Sequence, residues 1–305
     1  MRVAIIGRTE ILYETALHLQ AAGHEIVCIL TAKEAPEYQR DAEDFRALAA
    51  QWAIPFVNSA RIREHRDFFV QARAEIAVSI NYSGVIPEEI TVLFPLGILN
   101  AHGGDLPRYR GNACQAWAIL NGEEKIGLCI HRMIGDELDS GDIIARAYLP
   151  IDIDSTVGKA MDWIGRVTPS LFLDALTQLQ RDPTFILERQ PNDPALALRC
   201  YPRRPEDGRI DWRKPAPDIV RLVNASGHPY AGAFCFHDSR QLTVWEARLG
   251  DAERFLAVPG QVTAVTDDYL EVATGEGKVR LTRMTLDGAP VQPATVCRSI
   301  RSRLN

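Results

Sequence analysis

Asn100 and His102 are separated by a single residue at the end of the apolar run Leu96-Gly97-Ile98-Leu99. On a strand, alternate residues face the same side, so the amide and the imidazole are expected to meet at one point. An Asn amide can donate to an oxygen that gains negative charge. A neutral His can take a proton from an attacking amine or, once charged, hand one to a leaving nitrogen. Further on, the stretch Asp136-Glu137-Leu138-Asp139-Ser140-Gly141-Asp142 supplies a carboxylate, Asp139, able to orient that imidazole and stabilise its charged form. Together the three suit direct transfer of an acyl group to an amine, with no protein nucleophile. A metal centre is not indicated, because His102, His131 and the nearby acids lack a helical or Cys-based ligand spacing. Alone, each residue has a plainer reading: a His at a strand end, such as His131, is more often structural, and Asp139 could simply cap a turn. Their conjunction at one edge of an inferred sheet favours the chemical reading.

The elements around them follow from the apolar pattern. Gly103 and Gly104 let backbone approach a ligand, and Leu106-Pro107 forces a turn, as at the carboxyl edge of an α/β sheet. Residues 3–6 form a continuous apolar run typical of a strand covered on both faces, followed by a helix to residue 22 and a second strand over 25–30. Helices are expected at 41–52, 67–72 and 115–121, and strands at 76–80, 126–133 and 143–149, the last two joined by the Asp139 loop. A helical stretch over 156–179 is expected to be interrupted at Pro169. After the first strand only Gly7 is present, so the G-x-G-x-x-G fingerprint is missing and a dinucleotide-dependent dehydrogenase falls behind. Prolines gather over 183–205. Beyond them a helix at 217–225 precedes short strands at 233–236, 242–247, 260–265, 269–273 and 278–281, a texture that suggests a small barrel.

A chain of 305 residues is expected to form two domains, since single cores rarely grow beyond ~250 residues. The net charge of -6 and charged fraction of 24% describe an ordinary soluble protein and give no support for a general nucleic-acid or anionic-membrane surface. The six cysteines are scattered without a CxxC pair, which favours buried thiols in a reducing compartment, and a cytoplasmic location is expected. The first seven residues are too short an apolar run for a signal peptide, and no stretch is apolar for long enough to span a membrane.

The motif Asn100-x-His102, then Leu106-Pro107-x-Tyr109-Arg110-Gly111, Asn121-Gly122-Glu123, Gly127, His131-Arg132-Met133 and Asp139-x-Gly141, resembles the formyltransferases that use 10-formyltetrahydrofolate. Arg203-Arg204-Pro205, Gly208-Arg209-Ile210-Asp211-Trp212, Pro215-Ala216, Gly232-Ala233-Phe234 and Thr243-Val244-Trp245 extend the resemblance to a C-terminal domain shared by members acting on methionyl-tRNA and on nucleotide sugars. The members that formylate UDP-4-amino-4-deoxy-L-arabinose look most similar. The resemblance implies an α/β fold, with a Rossmann-like, mostly parallel sheet in a catalytic domain over 1–188, a linker over 189–205, and a smaller OB-like β-barrel domain over 206–305. It implies a catalytic trio of Asn100, His102 and Asp139 and no metal. The folate is expected along Tyr82, Ser83, Gly84, Val85 and Ile86 and along Asp136, Glu137 and Leu138, held largely by main-chain groups. Gly104, Arg108, Tyr109, Arg110, Gly111, Arg203 and Arg204 are the candidates for the acceptor, the arginines for its diphosphate. The family pattern Ser-Leu-Leu is replaced by Gly104-Asp105-Leu106, which adds a carboxylate near the site.

Among acceptors, tRNA would call for a basic insertion after the second strand, yet residues 31–40 carry only Lys33 and Arg40 against Glu34 and Glu37. The small-molecule expectation is therefore a nucleotide-linked amino sugar, with methionyl-tRNA and the hydroxylated ornithine of siderophore assembly as alternatives. A homo-oligomer stays open. From other classes, a folate-binding protein without catalysis and a hydrolase that sends the formyl group to water would share the same pocket.

Overall fold

The structure, a computed structural model, describes residues 1–191 and 193–305 and falls into two compact units. The first comprises Met1–Gly111, Gly127–Leu149 and Asp162–Cys200, and the second Asn112–Ile126, Pro150–Met161 and Tyr201–Asn305. Most of the stretch expected as a linker thus belongs to the first unit.

In chain order the elements are β1 (Arg2–Gly7), α1 (Glu10–Ala21), β2 (Glu25–Thr31), α2 (Ala42–Gln51), β3 (Phe56–Asn58), α3 (Arg66–Ala72), β4 (Ile76–Ile80), α4 (Glu88–Thr91) and β5 (Ile98–His102). After them come β6 (Arg110–Gly111), α5 (Cys114–Leu120), β7 (Lys125–Arg132), β8 (Ile143–Pro150), α6 (Val157–Arg181) and β9 (Arg199–Cys200). A seven-stranded sheet runs in the order β3-β2-β1-β4-β5-β7-β8, parallel from β3 to β5, with β7 antiparallel to β5.

The continuous apolar strands are explained by burial on both faces. Val3 and Ile5 pack with Leu12, Ala16 and Leu19 of α1 and Leu171 and Phe172 of α6, while Ala4 and Ile6 pack with Phe69 of α3 and Ile90 of α4. Successive residues point to opposite faces, so one strand serves both layers. Each large apolar side chain fully buried this way contributes about 1.5–3 kcal/mol. Gly7 ends β1 at a positive φ of 132°, where any Cβ would run into the Ile80 carbonyl of β4. That close approach, and not a ligand phosphate, accounts for the lone glycine.

The helix expected to break at Pro169 does not. α6 continues through it to Arg181. Ile164 before the proline and Leu171, Phe172, Ala175, Leu176 and Leu179 after it sit in one core cluster. Packing along that face offsets the lost hydrogen bond, a local penalty of about 3 kcal/mol. No helix is long and apolar enough to cross a membrane among the described residues. All six cysteines are buried, and burial pushes the Cys28 thiol up to about 12.

The second unit contains α7 (Ala216–Ser226), β10 (Ala233–His237), β11 (Arg240–Leu249), β12 (Val262–Val265), β13 (Leu270–Ala273), β14 (Lys278–Leu286), β15 (Ala289–Val291) and α8 (Pro293–Val296). Its antiparallel sheet runs β10-β11-β14-β13-β12, with β15 on β14. Ile219, Val220 and Val223 of α7 share a core with Val244 of β11, Val272 of β13 and Leu281 of β14. Among the described residues the end strands β10 and β12 do not pair with each other; the C-terminal residues bridge them. Phe236 and Asn305 exchange backbone hydrogen bonds at 2.8 and 2.9 Å beside β10, and beside β12 the Leu304 N–H donates to the Gly260 carbonyl at 2.8 Å and the Val262 N–H to the Ser302 carbonyl at 3.1 Å, in keeping with the expected barrel.

Candidate active site

β5 ends at the carboxyl edge of the parallel strands and carries Asn100 and His102 on one face, as the alternation requires. It is paired on both sides. Ser79 of β4 stands beside Asn100, and from the antiparallel β7 His131 lies opposite Asn100 and Cys129 opposite His102. Opposite residues of an antiparallel pair place their side chains on the same face. His131 therefore arrives beside Asn100 by register alone.

The loop between β7 and β8 brings in Asp139, which adopts a left-handed φ of 50°. At Gly141 a Cβ would collide with the Arg132 carbonyl, so this loop can fold back tightly only with glycine there. Asp139 Oδ2 accepts from the Gly111 N–H at 2.9 Å and lies 3.5 Å from His102 Nδ1; Oδ1 lies 3.5 Å from His131 Nε2. Its side chain is only 10% exposed. Burial would raise the carboxyl, but His102 and His131 on either side, with the Gly111 N–H, outweigh it and hold Asp139 well below the usual carboxylate range.

Hydrogen-bond logic assigns the ring protons. His102 Nε2 is 2.6 Å from the Tyr109 carbonyl, which can only accept, so Nε2 carries a proton and Nδ1 is the nitrogen turned to Asp139. A proton added at Nδ1 would face the carboxylate directly. His131 Nδ1 is 3.2 Å from the Arg132 carbonyl, so in the neutral ring Nε2 accepts from the Asn100 amide nitrogen, also at 3.2 Å. That contact fixes which way the Asn100 amide points and leaves its second N–H for another acceptor. Gly104 is buried, and a Cβ there would meet both the Tyr109 carbonyl and the His102 ring. Whatever it offers an acceptor, Gly104 gives the imidazole its space.

Asp105 does not leave a bare carboxylate in the site. Arg146 of β8, whose side chain is 9% exposed, donates to Asp105 Oδ1 at 2.5 Å and to the Leu106 carbonyl at 2.8 Å, and pairs with Glu188 at 3.0 Å. The departure from the family pattern at position 105 is thus matched by a buried arginine.

The two stretches expected to hold the folate meet. The Asp136 N–H donates to the Ile86 carbonyl at 3.2 Å, and the Asp136 carboxylate accepts from the Glu88 N–H at 3.3 Å. Ser83, Gly84 and Val85 are exposed, as are Asp136 and Glu137, and Leu138 is half-buried. Two of the expected contacts have other work. Ile86 is fully buried in the core, and the Tyr82 hydroxyl takes the Ile62 N–H and donates to the Ser59 carbonyl, both at 3.2 Å. The Ile86 side chain is thereby withdrawn from any ligand, while the Tyr82 ring remains half-buried.

Of the acceptor candidates, Arg110 donates to Gln190 Oε1 at 2.9 Å, Gly111 holds Asp139, and Tyr109 is buried beneath the Arg108 guanidinium. Arg203 and Arg204 belong to the second unit. There Arg203 donates to the Ala225 carbonyl at 2.7 Å, to Ser226 Oγ at 3.0 Å and to the Asp207 carbonyl at 3.2 Å, closing the end of α7. Local sequence reading takes His131 as structural and gives no signal for Arg146, yet His131 lies beside Asn100 and Arg146 beside Asp105. Only the pairing of β5 with β7 could have revealed the first.

A family model for the N-terminal domain of formyl transferases matches residues 1–176, and one for their C-terminal domain matches residues 203–301. Among solved structures, HypX from Aquifex aeolicus in complex with tetrahydrofolic acid is 19% identical with a TM-score of 0.61, covering 97% of this chain. The match takes in 46% of HypX, so the chain spans about half the length of that protein. An N-formyltransferase from Helicobacter canadensis, in complex with folinic acid and dTDP-3-aminofucose, is 15% identical with a TM-score of 0.69, covering 92% of this chain and 98% of that one. The sugar 3N-formyltransferase WlaRD, crystallised with dTDP and 5-N-formyl-THF, is 18% identical with a TM-score of 0.68 over 92% of this chain and 97% of its own. With both of its domains matched in order over most of its length, the chain belongs to the formyl transferase family.

Proposed function

We propose that the protein transfers the formyl group of 10-formyltetrahydrofolate to the amine of a nucleotide-linked amino sugar, with UDP-4-amino-4-deoxy-L-arabinose the first acceptor to try. The observation that carries this reading is the convergence of Asn100, His102 and Asp139 at one strand edge, with Asp139 3.5 Å from His102 and held ionised. The adjoining residues 83–85, 136 and 137 are exposed, and their main chain suits a flat heterocycle recognised through backbone donors and acceptors.

10-Formyltetrahydrofolate supplies the carbonyl carbon that the amine attacks. The second Asn100 N–H donates to the carbonyl oxygen as it gains negative charge, and the positive charge of a protonated His102 stabilises that oxygen electrostatically. Asp139, ionised and beside His102, takes up the proton that the amine loses on bonding to carbon. Proton return to the departing nitrogen falls to His102, which then recovers a proton from Asp139, so that both groups return to their starting forms.

A sugar acceptor is favoured over tRNA by the short, weakly basic stretch after β2, where Arg40 is itself paired with Asp44 at 3.1 Å. The structures of the Helicobacter canadensis protein with dTDP-3-aminofucose and of WlaRD in the presence of dTDP support the same choice. The test is to incubate the protein with 10-formyltetrahydrofolate and UDP-, dTDP- and GDP-amino sugars, methionyl-tRNA and hydroxyornithine, and to read products by mass spectrometry. One formylated nucleotide sugar is expected. Formylation of tRNA alone, or formate release with every acceptor, would overturn the proposal.

A further inference from the structure

Gln190 lies between the two matched family segments, outside both. It is 8% exposed, and all of its amide is engaged. Nε2 donates to the Asp139 carbonyl at 2.9 Å and to the Gly141 carbonyl at 2.7 Å, while Oε1 accepts from Arg110 Nη2 at 2.9 Å. The two carbonyls can only accept and the guanidinium can only donate, so one orientation of the amide satisfies all three and its flip satisfies none.

The segment that carries Gln190 is anchored on both sides of the site. Glu188 bridges to Ile143 at the start of β8, with Ile143 N–H donating to the Glu188 carbonyl at 2.9 Å. Further on, β9 pairs with β6, matching Arg199 to Arg110 and Cys200 to Gly111. Gly111 is the residue whose N–H holds the Asp139 carboxylate. Gln190 therefore ties the backbone of the left-handed Asp139 to the strand that grips its side chain, and touches none of the reacting groups itself.

We infer that Gln190 is a positioning residue for the transfer step, holding Asp139 where it meets both His102 and the incoming amine. This rests on the proposed role of Asp139. The test is a kinetic cycle with Gln190→Met, which keeps the volume and removes the hydrogen bonds, Gln190→Glu, which sets an oxygen against the two carbonyls, Asp139→Asn, and the Met and Asn changes combined. Each Gln190 variant is expected to lose about tenfold or more in kcat, the order expected for a misplaced catalytic group, with KM for both substrates nearly unchanged. In the Asp139→Asn background the Gln190→Met change should cost almost nothing further, because groups that act as a unit are not additive. A purely structural residue would instead lower both backgrounds alike. Wild-type turnover in the Gln190 variants, a fully additive loss, or collapse of the fold in both variants would overturn the inference. Wild-type turnover of Asp139→Asn would sink the reading of Asp139 instead, and so separates the two failures.

Discussion

Asn100 and His131 face each other across β5 and β7, with the amide nitrogen 3.2 Å from the imidazole Nε2. The amide is thereby aimed before any substrate arrives, which is what stabilisation of a developing oxyanion demands. His131→Leu should lower kcat by about tenfold to a hundredfold, approaching the loss from removing one oxyanion donor. His131→Gln, which can still accept from Asn100, should recover part of it. Steady-state kinetics on the two variants decide the matter; equal activity in both would dissociate His131 from the amide.

Asp139 links the site to stability. Its folded carboxyl lies below the ordinary value, so its contribution is fully present above the unfolded value of about 3.9 and is lost as pH falls below that. Unfolding of the wild type and Asp139→Asn, followed from neutral pH downward, should show the largest gap near neutrality and a narrowing gap below about pH 4. Asn suits the test because it tolerates the left-handed backbone found here. A gap that stays constant with pH would contradict the linkage.

Arg146 and Asp105 form a mostly buried pair. Arg146→Met alone leaves Asp105 and Glu188 without their cation and should destabilise the fold by about 3 kcal/mol or more. Adding Asp105→Leu should return much of that loss, since the more buried carboxylate is then gone and the remaining one, Glu188, is about half exposed. Urea unfolding of the two single variants and the double variant measures the coupling, and additive effects would refute it.

Gly104 offers a test of space alone. Gly104→Ala puts a methyl group against the His102 ring and the Tyr109 carbonyl. Displacement of the imidazole should reduce kcat by about tenfold or more, as small misplacements of catalytic groups do. Retained folding by circular dichroism with unchanged kcat would show that the ring is not held by this contact.

What the sequence made legible was local. Residues 3–6 and 76–80 read as strands because burial on both faces demands largely apolar runs, and the apolar run 96–99 leading into Asn100 and His102, with their spacing, gave those two a shared face. His131 could be valued only once β7 was known to run antiparallel to β5, and nothing local to it carries that register. Asp105 finds its partner 41 residues away in Arg146. Gln190 sits in a proline-rich stretch that reads as a linker, although its amide closes over the Asp139 loop. Pro169 misled in the other direction, since local propensity gave way to the packing of α6. The folate loops were legible as loops, but the inward turn of Ile86 and the anchoring of the Tyr82 hydroxyl depend on contacts with distant segments.

The most direct test of the central claim is formyl transfer from 10-formyltetrahydrofolate to the active amino-sugar acceptor by Asn100→Ala, His102→Ala and Asp139→Ala beside the wild type. Asn100→Ala and His102→Ala should melt close to the wild type and Asp139→Ala below it, each still folded and each losing about a hundredfold or more in kcat. Near-normal transfer by all three would contradict the account.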